Sequence, residues 1–246
     1  MSLAFFDIDG TLLAKPSLER RFVRELCWRR EIPAANYLRW IVEALRLGRR
    51  DFRAAAHANK MYLRGMPAET LSASGAKRRV ATLPEFFPAA LQRLWWHALR
   101  GDAIVLVSGT LLPLAEIVKC ALQRELLWRG VETKISVIAT QLEIHDNCWT
   151  GRVSGPAMFG EAKAHAIKKF ADAQEISLAQ CSAYGDSSLD RWMLESVGHP
   201  FAINATRRIA RQQGWQMLEW THCPVRSADE QRETPNNAKR ALKWTL

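Results

Sequence analysis

The stretch from Leu3 to Leu13 reads LAFFDIDGTLL. An apolar run climbs to Asp7, a second aspartate follows at Asp9, and apolar residues resume after Gly10 and Thr11. The run has the length and composition of a short strand buried on both faces. Two like charges at the end of such a strand are costly unless something there uses them. Two other segments share the form, AIVLVS (103–108) and QCSAYGD (180–186). KISVIAT (134–140) and PFAIN (200–204) are further strand candidates. Between them lie helical stretches at 112–130, 160–174 and 189–198. Strands alternating with helices predict an α/β fold, with a parallel sheet, right-handed crossovers and helices on both faces.

One segment breaks the alternation. From Lys15 to Leu83 the chain reads as helix after helix with no convincing strand, punctuated by Pro33, Gly48, Gly65 and Pro67. An all-helical insert is therefore expected after the first strand. Residues 1–14 and 84–225 would form the core, 15–83 a cap, and 226–246 a polar tail around Pro235. QLEIHDNCWTGRVSGP (141–156) reads as a hairpin turning at Asp146-Asn147.

The 246 residues are 48% hydrophobic and 24% charged, an ordinary globular balance rather than a disordered one. No uncharged apolar run reaches the roughly 18 residues of a membrane span, and no basic leader precedes an apolar core. The five cysteines are scattered without a CxxC pair, which favours reduced thiols and a cytoplasmic location. The formal net charge is +10, much of it in ERRFVRELCWRR (19–30) and RLGRRDFR (46–53). No base-reading motif accompanies these arginines. Solvated helix faces and attraction of anions account for them more simply than nucleic acid does. The expected partner is a small anionic phosphorylated metabolite, with neither nucleic acid nor membrane.

In a parallel α/β sheet, ligands bind beyond the carboxyl ends of the strands. The first strand end offers Asp7 and Asp9, the second Ser108, Gly109 and Thr110, and the third Asp186, Ser187, Ser188 and Asp190. Lys163 opens the helix of GEAKAHAI. Four carboxylates in one crevice would repel, and a hard divalent cation such as Mg²⁺ relieves that repulsion through oxygen ligands. Asp7 and Asp186 are the natural side-chain ligands, with the Asp9 carbonyl a third and Asp190 acting through water or by orienting Lys163. An aspartate can also attack phosphorus. Asp7 is placed for that, while Asp9 can protonate the leaving oxygen and then deprotonate water. Gly10 permits a close turn, and Thr11, Ser108 and Lys163 are expected to bind phosphoryl oxygens, with Gly109 beside them.

DIDGT, VSGT, the lysine of GEAK and YGDSSLD occur in the order shown by the haloacid dehalogenase superfamily of phosphohydrolases, which this chain resembles. The helical insert, MYLRGMPAETL, WWHALRG, VGHPFAINATRRIARQQGW and TGRVSGP are similar to subfamily IB, the phosphoserine-phosphatase-like group. The resemblance implies a Rossmann-like core and a Mg²⁺-dependent phosphatase. It implies Asp7 as nucleophile and Asp9 as acid/base. It places Mg²⁺ at Asp7, the Asp9 carbonyl and Asp186, and phosphate at Ser108 and Lys163. One departure stands out. Phosphoserine phosphatases carry a glutamate shortly after DxDxT that recognises the substrate's amino group, whereas here LLAKPS supplies Lys15 and Pro16. An ammonium-bearing substrate is thereby disfavoured, and phosphoserine is the alternative rather than the leading substrate.

Two other readings remain open at this stage. A phosphotransferase would share the aspartyl-phosphate step and differ only in its acceptor. A receiver-type regulator would lack the helical insert and the +2 aspartate acid, and a nucleic-acid-binding module finds no base-reading motif here to support it. His97, His145 and His199 have no metal-type spacing, and the tryptophans are expected in core and cap contacts. Arg49, Arg50, Arg53 and Lys60 are cap cations expected mostly as surface charges, with contact to a substrate as the alternative.

Overall fold

A computed structural model describes residues 2–48, 57–71, 85–204 and 214–221. Strands β1 (Leu3–Phe6), β2 (Ala103–Leu111), β3 (Ile135–Thr140), β6 (Ser182–Gly185), β7 (His199–Ile203) and β8 (Gln216–Leu218) form a six-stranded sheet. Its order is β3-β2-β1-β6-β7-β8, and every pairing is parallel. The sheet strands expected from sequence are all present, and β2 runs three residues further than expected. Short β8, at the sheet edge, was not anticipated. Its three residues carry too little alternation to stand out.

The period of two in β1 and β2 sorts their side chains onto opposite faces. Ala4, Phe6, Ile104 and Leu106 pack with helices α3 (Pro88–Leu99) and α4 (Leu112–Trp128). Leu3, Phe5, Val105 and Val107 pack with α5 (Glu161–Ala173) and α6 (Arg191–Glu195). Helices thus cover both faces, as a buried parallel sheet requires.

The chain leaves the core after Leu13 and returns at Phe86. The two crossings touch, since Leu13 and Phe86 form an antiparallel bridge and the Phe87 N–H donates to the Leu12 carbonyl at 3.0 Å. Between them lie α1 (Leu18–Trp28) and α2 (Ala34–Gly48). Leu18, Phe22 and Leu26, spaced four apart, put one face of α1 into the core. DFRAAAHANKMYLRG falls partly outside the described residues. Its final part is a single 3-10 turn, Met61–Leu63, rather than a continuing α-helix. Two buried or nearly buried asparagines explain why. Asn59 spends its side chain on the Trp40 carbonyl and the Met61 N–H, and Asn36 donates to the carbonyls of Tyr62 and Arg64. Side-chain bonds of this kind compete with helical ones.

The expected hairpin is β4 (Leu142–His145) and β5 (Cys148–Val153). Asp146 and Asn147 have φ of 49° and 58°, the left-handed pair of a tight turn. The hairpin packs on the cap segment, with hydrogen bonds from Gly65 and Ala68 to its backbone.

A buried polar relay ties the amino edge of the sheet, at Asp102, to β6. His97 Nδ1 lies 2.9 Å from Asp102 and its Nε2 lies 2.8 Å from the Tyr184 hydroxyl. Tyr184 stacks between Phe6 and Phe201. This relay fixes β6 one residue before the site and uses His97 as packed structure, as its sequence context indicated. Replacing His97 by Phe strands the Tyr184 hydroxyl and weakens the hold on Asp102. The expected cost is about 2–3 kcal/mol of stability in urea unfolding. A change below about 0.5 kcal/mol would contradict the relay's role.

Candidate active site

β1 ends at Phe6, and the Asp7 N–H still donates to the Tyr184 carbonyl of β6 at 2.9 Å. This bond locks the Asp7 backbone to the sheet, so its side chain emerges at the carboxyl edge. The next residues turn sharply, with Leu12 and Leu13 both donating to the Ile8 carbonyl. Gly10 has φ +98°, and a Cβ there would lie 2.2 Å from Asp186 Oδ2. Only glycine lets the two loops close up in this way.

Lys163, 2% exposed in the first turn of α5, reaches between two carboxylates. Its Nζ lies 2.6 Å from Asp7 Oδ1 and 2.5 Å from Asp190 Oδ1. Asp190 is oriented in turn by Ser187, whose N–H and Oγ both donate to Oδ2 at 3.1 and 2.6 Å. Of the two expected roles for Asp190, the structure shows the orienting one. Asp186 accepts from the Lys15 ammonium at 2.7 Å. Asp9 accepts from the Leu18 N–H at 2.8 Å, which ties it to the start of α1.

Carboxylate oxygens of Asp7, Asp186 and Asp190 lie within 4.8 Å of one another. Burial drives the Asp7 carboxyl well above the usual carboxylate range. Asp190 and Asp9 add to this and Lys163 opposes it. Burial also lifts Asp9 to about 6, against the Leu18 N–H, and raises Asp186 against its bond from Lys15. Burial alone would lower Lys163, but Asp190 and Asp7 push it above the ordinary ammonium value. Four carboxylates face two ammonium groups, Lys163 and Lys15. The surplus negative charge and all-oxygen donor set fit a hard divalent cation such as Mg²⁺.

These groups open into a cavity of about 780 Å³ between core and cap. Ser108, Gly109 and Thr110 line it from β2, with the Ser108 Oγ accepting from the Thr110 N–H at 3.2 Å. Gly109 is dictated by the Phe159 ring, which would sit 2.1 Å from an added Cβ. Thr11 is fully buried, its hydroxyl has no hydrogen-bond partner, and it does not line the cavity. The cap wall comes from Glu19, Arg20, Val23 and Arg24 of α1, with Trp40, His57, Lys60 and Tyr62. Glu19 accepts from Lys60 Nζ at 2.5 Å and from the Tyr62 hydroxyl at 2.9 Å.

Sequence reasoning passed over Glu19 and Tyr62, although 19, 20, 23 and 24 share a helix face once α1 is assigned. Arg49, Arg50 and Arg53 lie outside the described residues.

Residues 4–195 match the family model of the haloacid dehalogenase-like hydrolases, and the chain belongs to that family. It is 31% identical over 232 residues, 91% of this chain and 79% of the relative, to an inhibition of morphological differentiation protein of Streptomyces azureus. A probable phosphatase of Mycobacterium tuberculosis is 28% identical over 92% of this chain and 77% of its own length. A solved Bordetella pertussis protein of unknown function superposes with a TM-score of 0.68 at 26% identity, covering 88% of this chain and 97% of that one. An apo phosphoserine phosphatase structure shares the fold, with a TM-score of 0.58 at 20% identity.

Asp9 binds its proton more tightly folded (about 6) than unfolded (about 3.9). Its ionisation therefore erodes stability as pH rises from about 4 to 6, and the loss is complete above that window. Asp9→Asn removes this penalty and keeps an acceptor for the Leu18 N–H. With a chelator present, the variant should be on the order of 1–2 kcal/mol more stable than the native chain at pH 7.5, with the gap closing towards pH 4. A gap that does not depend on pH would contradict the assignment.

Proposed function

We propose that the protein is a Mg²⁺-dependent phosphatase that hydrolyses a small anionic phosphomonoester through an aspartyl-phosphate. The observation that carries this reading is the buried Lys163 ammonium shared by Asp7 and Asp190, with Asp9 lining the same cavity. Lys163 engages Asp7 through Oδ1, leaving Oδ2 as the nucleophile. Its attack forms an oxygen–phosphorus bond and breaks the ester bond. The departing oxygen takes the proton of Asp9. Asp9, now ionised, removes a proton from water. The resulting attack at phosphorus releases inorganic phosphate and restores the Asp7 carboxylate.

In this reading Ser108 and Lys163 hold the remaining phosphoryl oxygens, which is supported by both lining the cavity beside Asp7. Asp7 and Asp186 would hold Mg²⁺, with Asp190 beside them. The bound ion would supply positive charge to the phosphoryl oxygens and keep Asp7 ionised despite its burial.

The cap supports an anionic substrate. Arg20 and Arg24 face the cavity, together with Lys15 and Lys60, which are ion-paired with Asp186 and Glu19. Among the described residues, the cap carboxylate that lines the cavity, Glu19, is committed to Lys60 and Tyr62. No uncommitted acid among the described cap residues is offered to a substrate ammonium, which argues against phosphoserine. Transfer to an alcohol instead of water would use the same steps, and product analysis with added alcohols separates the two.

Purified protein should release phosphate from p-nitrophenyl phosphate with Mg²⁺, and chelation should abolish turnover. Asp7→Asn should lower kcat at least about 10³-fold. Retained turnover in that variant would refute the nucleophile. Across a panel, phosphomonoesters with a carboxylate or second phosphate and no ammonium should exceed phosphoserine in kcat/KM by about tenfold or more. The reverse order would refute the reading of the cap.

A further inference from the structure

Helix α2 faces the wrong way for an ordinary surface helix. Its inward side carries buried Asn36, partly covered Glu43 and Trp40, the last of which lines the cavity. Its outward side carries Leu38, Ile41, Val42 and Leu45, exposed to 66%, 58%, 55% and 67%. At 100° per residue these four span about 100° of arc, an apolar stripe wide enough to pack against another body. Tyr37 extends the stripe and is 38% exposed. The Tyr37 hydroxyl lies 3.6 Å from Cys27 Sγ, which joins the stripe to the end of α1. Trp28 follows there at 77% exposure.

The charge around this face is one-sided. Residues 18–48 contain seven arginines against four glutamates, and one of those glutamates, Glu19, is held by Lys60. Arg29 and Arg30 are exposed just past the end of α1, and Arg39 and Arg46 on α2; Arg29 pairs with Glu25 and Arg46 with Glu43, whereas Arg24 faces the cavity. Arg39 and Arg46 lie together on one flank of the stripe. The sequence continues past the helix with Arg49, Arg50 and Arg53.

We infer that the outward face of α2 docks the protein onto an anionic lipid bilayer, with the helix lying in the interface. Leu38, Ile41, Val42 and Leu45 enter the acyl boundary, while the flanking arginines meet acidic headgroups. A helix with an apolar face, aromatic residues beside it and arginines at its edges has the chemistry for this. Charge complementarity favours a bilayer over a second copy, because two copies each carrying +10 would bring basic flanks together. The inference departs from the expectation that no membrane is involved. The sequence pattern of α2 is amphipathic either way, and only the fold shows that, among the described residues, its apolar side is the exposed one.

The test uses the full chain and vesicles of phosphatidylcholine with one quarter phosphatidylglycerol, read by sedimentation at physiological salt. The variant is Leu38→Ser with Leu45→Ser, which removes apolar contact without changing charge. The native chain should partition onto the anionic vesicles and leave pure phosphatidylcholine vesicles largely bare. The double variant should lose about tenfold or more in partitioning. It should keep its activity on a soluble aryl phosphate, since neither leucine lines the cavity. Absence of binding by the native chain would overturn the inference. So would equal binding by the variant, which would mean that surface charge alone attracts the vesicles. Light scattering that shows a dimer dissolved by the same substitutions would assign the face to a second copy instead.

Discussion

The site depends on one buried cation. Lys163 sits between Asp7 and Asp190 with almost no contact with water. Without it, two carboxylates would face each other in a crevice that already disfavours ionised acids. With it, Asp7 is aimed and held, and Asp190 becomes a strut fixed by Ser187. The three residues come from the end of β1, the first turn of α5 and the loop after β6. Their meeting requires the strand order that places β6 beside β1.

The sheet core was legible because its signals are local. An apolar run closing on Asp7, a second closing on Ser108 and a third closing on Asp186 each mark a strand end, and parallel topology brings strand ends together. Lys163 was legible from its place at the start of α5. The cap was less so. That Glu19 turns inward to Lys60 and Tyr62 depends on how α1 packs against the turn at 61–63. Nothing in the spacing of either segment records that. Thr11 is a different case. Its neighbours suggest a phosphate contact, while its side chain is fully buried and is not among the residues that line the cavity.

Core and cap divide the labour between them. The strand ends concentrate negative charge for chemistry at phosphorus. Residues 15–48 return positive charge through Arg20 and Arg24 on the cavity side, and carry an apolar, arginine-edged face on the other. α2 carries both surfaces, so what it touches outside and what it lines inside are set by one rigid element.

The most direct test of the central claim is a crystal structure of the protein grown with Mg²⁺ and beryllofluoride, a mimic of the phosphoryl group. The account predicts beryllium bonded to an Asp7 carboxylate oxygen, with the Lys163 ammonium and the Ser108 hydroxyl within hydrogen-bonding distance of the fluorines and Asp9 on the open side. Beryllofluoride bonded to another side chain, or Lys163 turned away from Asp7 and Asp190, would contradict it.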